Sequence, residues 1–152
     1  MQTARFHLEI DAPLALVWEF ITDYPGYARM PRVSSARVTQ AGKDHPAGVG
    51  AVRELVVDGI TFVEHIVEFE PPHVLAYKIE RSFPLPIAHE IGRMRLKERP
   101  GGTSLDWETI LALDVPLIGG LLTPLVIAKL RGTFNEILAF VKADLERRAR
   151  AA

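Results

Sequence analysis

The chain opens on an alternation. Phe6, Leu8 and Ile10 are apolar, while Arg5, His7 and Glu9 between them are polar, the period of two expected of a strand with one buried face. Asp11 then stands where a helix N-cap would, with Pro13 in the first turn. Leu14, Val17, Trp18 and Ile21 form a single helical stripe. Pro25-Gly26 ends that helix, and residues 27–32 suit a turn or a second short helix.

From 33 to 114 the pattern is strands and turns. A short alternating run holds Ala36 and Val38, and further runs cover 50–57, 60–69, 74–81, 87–98 and 103–114. The breaks between these are Asp58-Gly59, Glu70-Pro71-Pro72, Pro84-Leu85-Pro86 and Pro100-Gly101-Gly102. Asp-Gly and Gly-Gly suit tight hairpin loops, so the strands are predicted to form an antiparallel meander rather than a parallel sheet. At the end, Leu130, Phe134, Ile137, Val141 and Leu145 recur every three or four residues, widened by Leu138. They predict a helix over 125–149, interrupted only by Gly132. At ~1.5 Å per residue it spans roughly 35–40 Å, enough to cross seven strands.

The expected class is therefore α+β: a curved antiparallel sheet of about seven strands wrapped on a long C-terminal helix, with one or two short helices after the first strand. With 152 residues it is expected to be one domain over 1–152. A curved sheet closed by one helix tends to leave a hollow, and pockets form where packing cannot fill it.

Composition removes several alternatives. Hydrophobic residues are 48% and charged residues 24%, values that exclude disorder. The balance of 18 Lys+Arg against 19 Asp+Glu gives a net charge of −1, so no nucleic-acid partner is expected through bulk charge. There is no cysteine, which removes disulfides, thiolate catalysis and Cys-ligated metals. Residues 1–9 lack the apolar core of a signal peptide. The stretch Val115 to Leu130 is broken by Gly119, Gly120, Thr123, Pro124 and Lys129 and falls short of the ~20 residues a spanning helix needs. It reads as core, with transient contact at a membrane surface as the alternative. A cytoplasmic protein, monomeric or homodimeric, is the expectation.

Strand phase nominates the residues that face the hollow. In 60–69, Glu64 and Glu68 mark the outer face, which turns His65 inward with Thr61, Val63, Val67 and Phe69. In 74–81 the inner set is Leu75, Tyr77, Ile79 and Arg81. In 88–98, Glu90 and Gly92 share a face with Met94 and Leu96. In 103–113, Thr103, Leu105, Trp107, Thr109, Leu111 and Leu113 face in. Over 50–57, Arg53 and Glu54 compete for the inside. Glu90 on an apolar face would be a candidate general base with a raised pKa; a wet strand mouth or a bulge that turns it outward is the alternative. His65 is a candidate acid or base near neutrality, or else a rim histidine. Arg81 is a candidate anchor for an anionic group, or an exposed strand end. Tyr77 and Trp107 join a polar tip to an apolar body and suit an amphipathic ligand, with Thr109 beside them. A mid-helix glycine costs ~1 kcal/mol relative to Ala, so Gly132 is expected to allow a close approach beside Phe134. The segments 82–88 and 115–123, apolar and rich in Pro or Gly, are expected to gate the hollow. No zincin pair, Gly-x-Ser-x-Gly, P-loop or dinucleotide fingerprint occurs, so no metal and no cofactor is expected.

Several strings carry a resemblance. Ile10-Asp11-Ala12-Pro13 precedes Val17-Trp18. Asp23-Tyr24 leads to Met30-Pro31, and Val67-Glu68-Phe69-Glu70-Pro71-Pro72 precedes Leu75-Ala76-Tyr77. Gly101-Gly102-Thr103-Ser104-Leu105-Asp106-Trp107 completes the set. In this order they resemble the START-like (Bet v 1-like, SRPBCC) superfamily, and within it the polyketide cyclase/dehydrase and lipid-transport group. The resemblance implies a helix-grip fold and a small hydrophobic or amphipathic ligand: a lipid, isoprenoid, quinone or polyketide-like molecule. The alternatives it leaves are a cofactor-independent cyclase or dehydratase and an interaction module with a vestigial pocket. A fold so widely shared does not choose among them.

Overall fold

Asp58 (φ 51°) and Gly59 (φ 76°) both occupy the left-handed region, as a two-residue type I′ hairpin requires. Such turns set the topology of the whole chain. A computed structural model describes residues 1–152. The elements run β1 (Gln2–Ile10), α1 (Leu14–Thr22), a 3-10 helix (Tyr24–Arg29), β2 (Val33–Gln40), β3 (Val52–Val57), β4 (Ile60–Glu70), β5 (Val74–Phe83), β6 (Ile87–Arg99), β7 (Gly102–Leu113) and α2 (Gly119–Ala151). One sheet holds all seven strands in the order β1-β7-β6-β5-β4-β3-β2, antiparallel throughout. The fold is the α+β helix-grip arrangement.

The long helix buries Ile127, Leu130, Ile137, Leu138, Val141 and Leu145 against the sheet and α1, within a core of 30 buried residues. It begins at Gly119, six residues before the predicted start. Thr123 explains the extension: its hydroxyl donates to the Gly119 carbonyl (2.7 Å) and accepts the Leu113 N–H (3.0 Å), fastening the first turns to the end of β7. Pro124 is accommodated inside the helix.

Three register shifts decide which side chains reach the concave face. In the β4–β5 ladder, Val63 pairs with Arg81 but Glu64 with Ile79, leaving Glu80 as an extra residue. Further along, Ile66 pairs with Tyr77 but Glu68 with Ala76, leaving Val67 extra. In the β6–β7 ladder, His89 pairs with Leu111 but Ile91 with Ile110, leaving Glu90 extra. Each bulge reverses the inside–outside alternation beyond it.

Gly132 does not fill the expected role. It is exposed, and a Cβ added there would meet nothing within 4 Å; no sheet strand, loop or cavity approaches it. Gly132→Ala should therefore raise stability by about 0.5–1 kcal/mol, the ordinary helix-propensity difference. Leu145→Ala, at a fully buried position, should lower it by about 2–5 kcal/mol. Urea unfolding measures both, and a destabilised Gly132→Ala would mean that the position is crowded after all.

Candidate functional site

The concave sheet face and α2 do not close on one another. Between them lies a cavity of about 100 Å³ with an open mouth, and 20 of its 23 lining residues are hydrophobic. β3 contributes Arg53, Leu55 and Val57, β4 contributes Phe62 and Glu64, and β7 contributes Leu105, Trp107, Thr109 and Leu111. Phe134, Ile137, Leu138 and Val141 of α2 form the opposite wall. Phe6, Trp107 and Phe134 pack together there, with Trp107 and Phe134 centroids 4.7 Å apart.

Set into this apolar wall is an ion pair. Arg53 Nε donates to Glu64 Oε1 at 2.8 Å, and the two side chains are only 3% and 7% exposed. Adjacent strands present the pair on one face, and the guanidinium lies against three tyrosine rings: Tyr24 at 4.7 Å, Tyr77 at 4.9 Å and Tyr27 at 5.4 Å from Cζ to ring centroid. Such contacts strengthen when water is excluded. Burial pushes the Glu64 carboxyl up and the guanidinium offsets part of that rise; the pair holds Arg53 firmly in its charged form. Burial likewise raises all three phenols above their ordinary range, so they remain neutral hydroxyls. Tyr24 donates to the Ala47 carbonyl (2.7 Å) and Tyr27 to that of Ile21. Arg53 Nη1 is buried and has no hydrogen-bond partner.

A second polar group adjoins the first. Tyr77, Gly92 and Thr109 lie in lateral register across β5, β6 and β7. The Tyr77 ring lies directly over Gly92, where an added Cβ would sit 2.2 Å from its Cζ, so no larger residue leaves the ring in place. Trp107 Nε1 donates to Tyr77 Oη at 3.1 Å. His89 stacks on Tyr77, with centroids 5.5 Å apart and planes at 14°. Its Nδ1 accepts the Ile79 N–H (3.0 Å) and its Nε2 bonds Thr109 Oγ1 (2.9 Å). Burial, helped by Lys78, pushes the His89 pKa down to about 4.

The structure brings Tyr77, Trp107, Thr109 and Phe134 to the cavity wall, and sets His65, Glu90, Arg81 and Gly132 outside it. His65 lies on the outer face, its Nε2 against the Glu80 carboxylate. The predicted phase is inverted there because Glu64, taken as an outer marker, is the buried partner of Arg53. The bulge at Val67 then returns Phe69 to the inside, where it packs against the core. Glu90 is the extra residue of the β6 bulge and is exposed. Arg81 lies beyond the β5 bulge, also exposed, against the Phe83 ring at 5.7 Å. Arg53 prevails over Glu54 for the inside, since Glu54 pairs outside with Arg37. The 82–88 segment is fastened to the end of β7, where the Asp114 N–H donates to the Pro86 carbonyl (2.9 Å). Ile87 is buried, while Phe83, Leu117, Ile118 and Leu121 are exposed. Sequence reasoning missed Glu64 and His89. Adjacent Arg-Glu candidates on β3, one strand away from Glu64, were the available signal for the first; nothing marked the second.

Comparison with known proteins agrees with this geometry. Residues 1–146 match the family model described as polyketide cyclase / dehydrase and lipid transport. No curated protein matches significantly. Among solved structures, the Zhui aromatase/cyclase from Streptomyces sp. R1128 is similar at 21% identity and a TM-score of 0.78, covering 99% of this chain and 96% of its own. A START superfamily protein from Mycobacterium smegmatis is similar at 17% identity and 0.74, covering 98% and 97%. The protein XoxI from Bacillus cereus is similar at 19% and 0.73, covering 95% and 96%. At these identities the structural likenesses establish the fold.

The buried pair generates a prediction. Arg53→Met leaves a buried carboxylate without its partner, which should cost about 3–5 kcal/mol, whereas Arg53→Met with Glu64→Leu should recover most of that loss. Urea unfolding of the three proteins measures it. A single variant no less stable than the double would show that the two charges do not depend on each other.

Proposed function

We infer that this chain, which belongs to the polyketide cyclase / dehydrase and lipid transport family, binds one apolar or amphipathic small molecule between the concave sheet face and α2. The observation that carries the reading is the cavity itself: an overwhelmingly hydrophobic space in a folded domain, with a few polar groups gathered on one wall. That is the usual make-up of a small-molecule site, where apolar burial supplies affinity and sparse polar groups fix orientation. The ligand class is a lipid, isoprenoid, quinone or polyketide-like molecule, slim enough for a cavity whose volume lies partly at its mouth. A binding or carrier role needs no proton transfer, and the two residues nominated as acid and base from the sequence, His65 and Glu90, stand outside the cavity. Loading would pass between the 82–88 loop and the start of α2. There the exposed Phe83, Leu117, Ile118, Leu121 and Leu125 would make transient contact with a lipid surface while ligand is exchanged. We place the protein in the cytoplasm as a single START-like unit.

The reading is tested with N-phenyl-1-naphthylamine, an apolar dye that fluoresces when shielded from water. Its emission should rise and saturate near one equivalent. Val141→Phe, which fills the cavity from the α2 wall, should weaken binding at least tenfold while thermal unfolding stays cooperative. Equal binding by Val141→Phe would place the dye on the exposed surface of α2 instead and defeat the proposal.

A further inference from the structure

The solvent side of α2 carries a second stripe. Leu121, Leu125, Ala128, Gly132, Asn135 and Ala139 are all exposed, and their spacings of 4, 3, 4, 3 and 4 set them in one line along the helix. A surface helix ordinarily turns its charged residues to water. Here none lies in the line, and Leu121 and Leu125 are 78% and 66% exposed. The charged residues stand on its flanks. Arg131 and Lys142 lean away on one side, donating to the Arg5 and Glu9 carbonyls of β1. Lys129 and Glu136 stand on the other, where Arg32 Nε donates to Glu136 at 2.7 Å.

The line is ordered by size, with leucines at its start and short side chains toward its end. It is also symmetric about position 130: Leu121 and Ala139, Leu125 and Asn135, and Ala128 and Gly132 lie equally far from it. We propose that α2 is the interface of a homodimer, in which two copies of the helix pack antiparallel about a twofold axis at position 130. In that register each leucine faces Ala139 or Asn135 of the other copy, and Ala128 faces Gly132, so the two backbones approach closely at the centre. Leu117, fully exposed just ahead of the helix, then lies opposite the exposed Ala143. One patch that complements itself is what an isologous contact requires. A bilayer would reward the leucines alone and leave Gly132 and Asn135 without a role. Charge agrees with the pairing. The twofold sets like flanks together, so the two Lys129 side chains run apart, each toward Glu136 of the other copy. The dimer itself needs no ligand. It covers leucines that the function inferred above assigns to lipid contact, so on that reading the dimer is the form free of membrane.

Sedimentation equilibrium of the full chain reads the pairing. One helix pair is smaller than a standard interface, so the mass should pass from one chain to two around a concentration on the order of 10 μM. Leu121→Ala should weaken the dimer about tenfold, and Gly132→Leu at least as much, because a side chain there holds the backbones apart. Neither position packs inside the chain, so circular dichroism and thermal unfolding of the single chain should be retained. Leu121→Ala combined with Ala139→Leu should restore the dimer, since the large-to-small pairs are exchanged but kept. The chain has no cysteine, so Ala143→Cys accepts one spin label; antiparallel helices at ~1.5 Å per residue place the two labels about 39 Å apart along the axis. A one-chain mass at every concentration overturns the proposal. So does a dimer indifferent to Leu121→Ala and Gly132→Leu, a double variant no better than Leu121→Ala, or labels closer than about 20 Å, the parallel arrangement. Vesicles of phosphatidylcholine and phosphatidylglycerol should draw the protein off as single chains. A dimer that persists and ignores vesicles upholds the pairing and overturns the lipid contact alone; a chain that is always single and binds vesicles does the reverse.

Discussion

Placing Arg53 and Glu64 together inside an apolar concavity is the constraint on which the rest of the site depends. Neither charge is tolerable there alone, and the pair is held because β3 and β4 present the two side chains on the same face at 2.8 Å. Aromatic faces supply the remaining solvation. Tyr24 and Tyr27 come from the 3-10 helix and Tyr77 from β5, so one guanidinium ties the short helical segment to the sheet. The hydroxyls of Tyr24 and Tyr27 are spent on backbone carbonyls, which leaves Tyr77 as the tyrosine whose polar tip belongs to the cavity.

Curvature and bulges then determine what the cavity contains. A seven-stranded sheet in perfect register would have carried Arg81 and Glu90 inward with Ile79 and Gly92. The extra residues at Glu80 and Glu90 reverse the alternation and send both charges to solvent, while the β6 bulge turns His89 toward Tyr77 and Thr109. Gly92 completes the arrangement, because only a residue without a Cβ lets the Tyr77 ring lie across β6. The cavity thus holds one neutralised charge pair and a cluster of neutral donors in an otherwise apolar wall.

Most of the fold was legible because its signals are local. The type I′ turn at Asp58-Gly59, the alternation of β1 and β7 and the heptad-like stripe of α2 each act within a few residues. The inward set on β7, including Trp107 and Thr109, followed from strict alternation in a strand that pairs without interruption within itself. Legibility failed where tertiary structure overrode the pattern. A glutamate normally marks the solvent face, and Glu64 does not, because its partner lies on another strand. Bulges are properties of a ladder between two strands, so the phase change that removed Arg81 and Glu90 leaves no mark in either strand alone. Gly132 invited an explanation by close packing within the chain, but there it occupies an exposed turn of a helix long enough to bear the cost.

The central claim is that ligand enters the space between sheet and α2 rather than adhering to the apolar surface at the start of that helix. Methyl NMR with N-phenyl-1-naphthylamine distinguishes the two directly. The account predicts large, saturable shifts for the methyls of Leu105, Leu111, Ile137, Leu138 and Val141, all on the cavity wall. Shifts confined to Leu117, Ile118, Leu121 and Leu125, the exposed apolar residues around the start of α2, with the wall methyls unmoved, would contradict it.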